Sequence, residues 1–237
     1  MSTHPYGRLT RRGLAGMVGL GLLDLLVADE VAAESGPSPR VHTRADWKAA
    51  SPRRPAKVLK QAPDRIVVHH TATANSKDYS VSHAYRLSRQ IQKFHMRTRG
   101  WDDTGQQLTI SRGGHVMEGR NRSLSAIRGG RLVQGAQALH HNTHTIGIEN
   151  EGNYGRAAVP GKLWASLVGT CAWLCTEYRL DPIRAIVGHR DLVTTDCPGD
   201  VLYARLPELR AAVAARLALD LSDDEESEAE RAAARLG

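Results

Sequence analysis

Four residues of types that bind metals or move protons close apolar runs or follow one closely. "DRIVVHHTAT" runs into His69, "HTIGIENEG" into Glu149 and "RAIVGH" into His189, and eight residues after His189 comes Cys197 in "TTDCPG". Two imidazoles and one thiolate make a three-ligand zinc set with the fourth position left to water, the pattern of a catalytic rather than a structural zinc. Zinc stabilises the thiolate form of a cysteine and lowers the pKa of its water to about 7. A turn at Pro198-Gly199 would hold the sulfur still. A carboxylate beside such a water, here Glu149, could accept its proton and pass it to a leaving amine. Spacing alone does not choose. The interval from His189 to Cys197 matches no zinc finger, and His70, His140, His141 and His144 stand as rival ligands. A histidine at a strand end is ordinarily a satisfied surface or core residue. Cys197 activated by His189 would make a zinc-free cysteine hydrolase.

The elements that would position these groups are readable from periodicity. Side chains alternate across a strand, so His69 shares a face with Val67, Glu149 with Thr145 and Gly147, and His189 with Val187 and Ala185. If the strands 64–71, 145–149 and 184–189 are neighbours, the three functional residues converge on one sheet surface. Residues 76–99 are helical, with Ala84, Leu87, Ile91 and Phe94 at spacings of three and four and Gly100 placed to end the helix. "QLTIS" and "HVMEG" (107–111, 115–119) form a hairpin through Gly113-Gly114. Residues 160–180 form an amphipathic helix, and 200–219 are helical despite Pro207. Strands and helices alternate without repeats, which predicts an α/β fold: a single domain over 41–219 with a mixed central β-sheet flanked by helices. Residues 34–40 read as a tether, with Trp47 the anchor of the lead-in.

Residues 1–33 carry Arg11-Arg12, a Gly/Leu/Val-rich run and the small-residue stretch Val31-Ala32-Ala33, the charged, apolar, cleavable order of a Tat-like export signal. The run is short of the roughly 20 residues of a spanning helix, and Asp24, Asp29 and Glu30 would be costly in lipid. The expectation is a protein exported to the cell exterior or wall, with no stable membrane insertion after cleavage. Residues 34–219 hold 27 Lys and Arg against 15 Asp and Glu, a surplus that favours polyanions. Export selects the bacterial wall and its anionic polymers over nucleic acid. The tail 220–237 holds seven acids against two Arg and reads as a disordered or frayed helical end. Three cysteines do not make a disulfide framework. Cys171 and Cys175, one helical turn apart, are two buried thiols or a local disulfide.

"TRADWKAA", "VVHHTAT", "GGHVMEGR", "HNTHTIGIENEG" and "GHRD…TDCPGD" occur in the order and at about the separations of the peptidoglycan recognition protein / type-2 N-acetylmuramoyl-L-alanine amidase family, which the chain resembles over residues 41–217. The resemblance implies that family's fold and a catalytic Zn2+ on His69, His189 and Cys197. It also implies peptidoglycan as substrate, with hydrolysis of the amide between N-acetylmuramic acid and L-alanine by zinc-activated water. His70 then faces away. Two departures stand out: Gln106 replaces the Tyr that follows "GW-x-D-x-G" in many members, and Gln137 stands in "GAQ" where many have "GAH". Both are expected as substrate contacts only, since an amide moves no proton at neutral pH. Family members that cleave without that Tyr carry a Glu in the strand corresponding to "IGIE", which makes Glu149 the expected general base. Thr195, two residues before the cysteine, is the expected oxyanion donor, and Asp191 braces its loop or a ligand histidine. The alternative is a non-catalytic peptidoglycan-binding module of the same fold. Members that lost catalysis typically lack the metal cysteine, which is present here.

Overall fold

The computed structural model describes residues 38–220, so the export signal expected at 1–33 and the acidic tail from 221 lie outside the described residues. The elements in chain order are β1 (Val41–His42), β2 (Val58–Leu59), β3 (Arg65–His70), α1 (Val81–Arg97), β4 (Leu108–Ile110), β5 (Val116–Glu118), α2 (Ser123–Ile127), β6 (Leu132–Val133), β7 (Thr145–Asn150), α3 (Gly161–Tyr178), α4 (Pro182–Ala185), β8 (Ile186–Gly188) and α5 (Asp200–Ala204). A further helix, α6, occupies 206–220. Six strands form one mixed sheet in the order β1-β5-β4-β7-β3-β8, and β2 pairs with β6 in a separate ribbon. Only β4 and β5 run antiparallel within the large sheet, as the Gly113-Gly114 hairpin requires.

One face of the sheet is apolar. Ile66, Val68, Leu108, Ile110, Ile146, Ile148 and Ile186 pack against Leu163, Leu167, Cys171 and Leu174 of α3 and against Leu202, Leu206, Leu209 and Val213. Fully burying each of these larger aliphatic chains is worth about 2 kcal/mol. Cys171 and Cys175 are buried free thiols in this layer. Among the described residues no helix is long and apolar enough to cross a membrane. On the other face, Trp47, Ala84 and Met117 cluster under α1. Trp47 is fully buried and its indole N–H donates to the Glu118 carbonyl at 2.9 Å, which makes it the anchor of the lead-in.

Three boundaries differ from the periodicity reading, each through local side-chain chemistry. Helix α1 starts at Val81 rather than 76, because Ser76 and Asp78 accept the backbone N–H groups of Asp78 and Ser80, holding the chain in turns until Ser80 caps the helix through the N–H of His83. The expected strand 184–189 is shorter. Asp181 caps Ile183 with Pro182 in the first turn, so 182–185 coil before β8 begins, and His189 opens a 3-10 turn. The helix expected over 200–219 breaks at Arg205, where Pro207 cannot donate the N–H that an unbroken helix needs.

Candidate metal centre

The register of the sheet lines up one row of side chains. His42 opposes Met117, Met117 opposes Thr109, Thr109 opposes Glu149 and Glu149 opposes His69. The pairing of Val68 with Gly188 places His189 next in the same row, just past the end of β8. Glu149, His69 and His189 therefore converge at the C-terminal ends of three adjacent parallel strands, as the alternation argument required. Cys197 arrives from the loop that follows. One ligand atom each of His69, His189 and Cys197 lies within 4.8 Å of the others, the one such cluster of histidine, cysteine and carboxylate groups among the described residues. The two imidazole rings are 4.3 Å apart at their centroids. Cys197 Sγ is 3.6 Å from His69 Nδ1, the separation of about 3.6 Å that bonds of 2.0–2.1 and 2.3 Å give at a tetrahedral zinc.

The tautomer of His69 follows from its neighbours. Thr145 Oγ1 is 2.8 Å from the His141 carbonyl, to which it gives its single proton, so it can only accept from Gln137 Nε2, also at 2.8 Å. That turns Gln137 Oε1 toward His69 Nε2 at 2.5 Å. The oxygen accepts, so Nε2 carries the proton and Nδ1 keeps its lone pair bare toward Cys197. Burial and the neighbouring His189 push the His69 pKa down to about 3, which keeps the ring neutral and fit for a metal. Burial pushes the Cys197 thiol up to about 12, too high for a free nucleophile, while the His70 N–H at 3.4 Å is placed to donate to its sulfur. The donor set and its spacing fit zinc and argue against the zinc-free cysteine hydrolase.

The loop after β8 is held without spending the ligands. Asp191 braces the loop rather than a histidine, accepting the Gly188 N–H at 2.8 Å and the Tyr203 hydroxyl at 2.5 Å. Arg190 donates from its backbone to the Cys197 carbonyl and from its side chain to Asp200 and the Asp196 carbonyl. Gly199 has φ +89°, and a Cβ there would sit 2.4 Å from the Tyr154 carbonyl carbon, so the turn after the cysteine needs glycine.

A cavity of about 420 Å³ opens over the cluster, lined among others by Glu149, Gln137, Thr195, Trp101, Arg99 and Phe94. A second of about 360 Å³ shares Glu149, Thr71, Phe94 and His95 with it and extends along Leu87, Gln90 and Ile91 of α1. Desolvation alone raises the Glu149 pKa to about 8. Thr195 Oγ1 accepts the Cys197 N–H at 3.3 Å. Gln106, by contrast, is 1% exposed and donates to Thr109; it does not line the cavity, so the expected substrate contact has no access. Gln137 does line it, yet its amide is committed to His69 and Thr145. It is placed to orient His69, and the space it fills is the one Gly147 leaves, since a Cβ there would come within 2.8 Å of Gln137 Cγ and Cδ. Of the rival histidines, His140 is exposed and the other three are otherwise engaged. His70 Nδ1 accepts from Tyr154, and His141, His144 and Asp64 form their own chain. Phe94, read as a core position, is 46% exposed at the cavity rim. As the chain's single Phe, its rarity was the one available signal.

Gln137→Leu is expected to weaken zinc about 10–100-fold, the range for partners that orient a ligand. Gly147→Ala should do the same by displacing the amide. Competition against a chelating dye measures both, and NMR of the His69 ring nitrogens should show the tautomer becoming mixed.

The family model for N-acetylmuramoyl-L-alanine amidase matches residues 59–200. The human protein of that name is 33% identical over 189 residues, 78% of this chain and 31% of its own length; the chain thus spans about a third of that relative. Peptidoglycan-recognition protein LB of Drosophila melanogaster is 28% identical over 70% of this chain and 67% of its own. The solved structure of Drosophila PGRP-LB superposes with a TM-score of 0.61 at 27% identity, covering 70% of this chain and 92% of that one. A complex of its Tyr-to-Phe mutant with tracheal cytotoxin gives 0.62 at 26% identity, over 71% and 94%. With the match spanning more than half of its length and the same mixed sheet under the same helices, the chain belongs to the type-2 N-acetylmuramoyl-L-alanine amidase family, which includes the peptidoglycan recognition proteins.

Proposed function

We propose that the protein is a zinc-dependent amidase that cleaves the bond between N-acetylmuramic acid and L-alanine in peptidoglycan. The observation that carries this reading is the convergence of His69 Nδ1, His189 and Cys197 Sγ at the floor of an open cavity with Glu149 in the adjacent position of the same row. His69, His189 and Cys197 would hold the ion, which when bound supplies Lewis acidity and a more acidic water. Glu149 does the proton work. Its carboxyl takes one proton from the attacking water and returns it to the alanine amine. Thr195, which accepts from Cys197 with a lone pair, keeps its hydroxyl proton for the developing oxyanion. The groove along α1, with Leu87, Ile91 and Phe94 on one side and Thr71 and Thr73 on the other, accommodates the stem peptide. The complex of a Drosophila relative with tracheal cytotoxin supports a muropeptide-sized ligand. Export by a Tat-like signal would bring the protein to this substrate.

A binding module without catalysis is the second reading, favoured by the burial of Gln106 where many members carry a Tyr. The test is digestion of purified sacculi. Stem peptides with free alanine amines should appear, vanish in chelator and return with zinc. Release that persists in chelator overturns the zinc mechanism, and binding without release installs the module.

A further inference from the structure

A third cleft, of about 440 Å³, lies between α1 and the loop from Lys48 to Arg53, and it shares no lining residue with the two cavities beside the metal cluster. Its walls are Lys48, Ala50, Arg53, Arg89, Gln92, Lys93, Met96 and Arg97, five cations without a carboxylate. The sequence of α1 shows the same bias, with Arg86, Arg89, Lys93, Arg97 and Arg99 between 81 and 99 and no Asp or Glu. Arg89, Lys93 and Arg97 recur every four residues and form one stripe, about one helical turn of 5.4 Å apart. Arg86 is spent on Asp78 at 2.7 Å, but none of the five cleft cations takes part in an ion pair among the described residues.

The two walls are tied in place. Gln92 both donates to and accepts from the backbone of Ala50. Arg89 donates to the Trp47 carbonyl at 2.7 Å, and Arg53 donates to the Met96 and Gly100 carbonyls. These arginines satisfy N–H groups on neutral oxygens and keep their charge. Lys48 holds φ +56°, a conformation cheaper for glycine or asparagine, and so presents one more cation at the rim.

We propose that this cleft binds a linear phosphodiester polymer that carries no bases, a polyol-phosphate chain laid along α1 with one phosphate meeting a cation at each turn. Guanidinium groups favour phosphate through paired N–H donors. The lining holds no aromatic ring, and single-stranded nucleic acids are held on aromatic platforms as well as by charge, so the bases of an RNA or DNA would find no seat. The cleft would hold the domain on wall that displays such polymers and leave the cavity over Glu149 free.

The test is titration of fluorescent poly(glycerol phosphate) into the whole protein at a series of salt concentrations. Lys93→Gln/Arg97→Gln should weaken binding about tenfold at low salt and flatten the slope of log K against log salt by roughly 1.4, two contacts at about 0.7 each. The charge-matched Arg128→Gln/Arg156→Gln, exposed residues outside the cleft, should leave both nearly unchanged. An equal loss in that control, or no binding by the wild type, overturns the site. Oligothymidylate or polyglutamate binding as tightly as the polyol phosphate overturns the assigned chemistry. The readout needs no hydrolysis, so its failure leaves the amidase reading standing.

Discussion

Cys197→Ser is expected to abolish stoichiometric zinc and to cut stem-peptide release by more than about 100-fold, beyond the 10–100-fold typical of residues that only orient a ligand. The argument is one of donor chemistry. The sulfur sits 3.6 Å from His69 Nδ1 and is the one ligand of the three that carries a charge once the ion displaces its proton. A serine hydroxyl in its place, with a far higher pKa, gives up neither proton nor charge to the ion. The backbone that places the residue does not depend on sulfur: Arg190 N–H still meets the carbonyl of residue 197, and Gly199 still packs under Tyr154. The variant should therefore fold in chelator as the wild type does. Elemental analysis beside an assay on sacculi measures the result, and full zinc in the variant would move the site elsewhere.

The second large effect belongs to Glu149. Glu149→Gln keeps the shape and removes the proton acceptor, so kcat should fall by about 10²–10⁴ with zinc content and KM little changed. A further readout comes from stability. Burial raises the Glu149 pKa from 4.5 to about 8, so the folded chain holds a proton that the unfolded chain has released, and the metal-free protein loses stability as pH climbs between those values. His69, lowered from 6.5 to about 3, acts with the opposite sign, and its contribution levels off only about one unit above its unfolded value. Only above about pH 7.5 does the carboxyl act alone of the two. In chelator the wild type should lose Tm relative to the Gln variant as pH climbs from about 6.5 to about 8, since the lowered histidines act equally in both; curves that run parallel would remove Glu149 as the desolvated acid.

Much of this arrangement is legible in residue order. A period of two put His69 with Val67 and Glu149 with Gly147 on one face, and the short β-branched runs marked β3 and β7 as strands. Glycine pairs and proline marked the hairpin and the start of α3. Gln137 was not legible, because its task depends on the space above Gly147 and on the hydroxyl of Thr145, contacts that arise only after the loop following β6 folds over β7. Gln106 and Phe94 exchanged places for the same reason. A polar residue lies buried just before β4 and an aromatic one at the rim, since α1 stands over an open cavity rather than a full core. The two-residue strands β1, β2 and β6 are too short to show any period.

The three side chains that would anchor the ion come from points as much as 128 positions apart along the chain, brought together only when β3 and β8 lie side by side and the loop beyond β8 has closed. A fragment holding only one or two of them would grip zinc poorly, and a chain that grips it would have finished its long-range assembly. Bound metal would thus serve as a certificate of completed folding. By mass action it also draws partly open chains toward the closed form, so metal scarcity should show itself first as protein lost to proteolysis and only afterwards as enzyme that is present but idle.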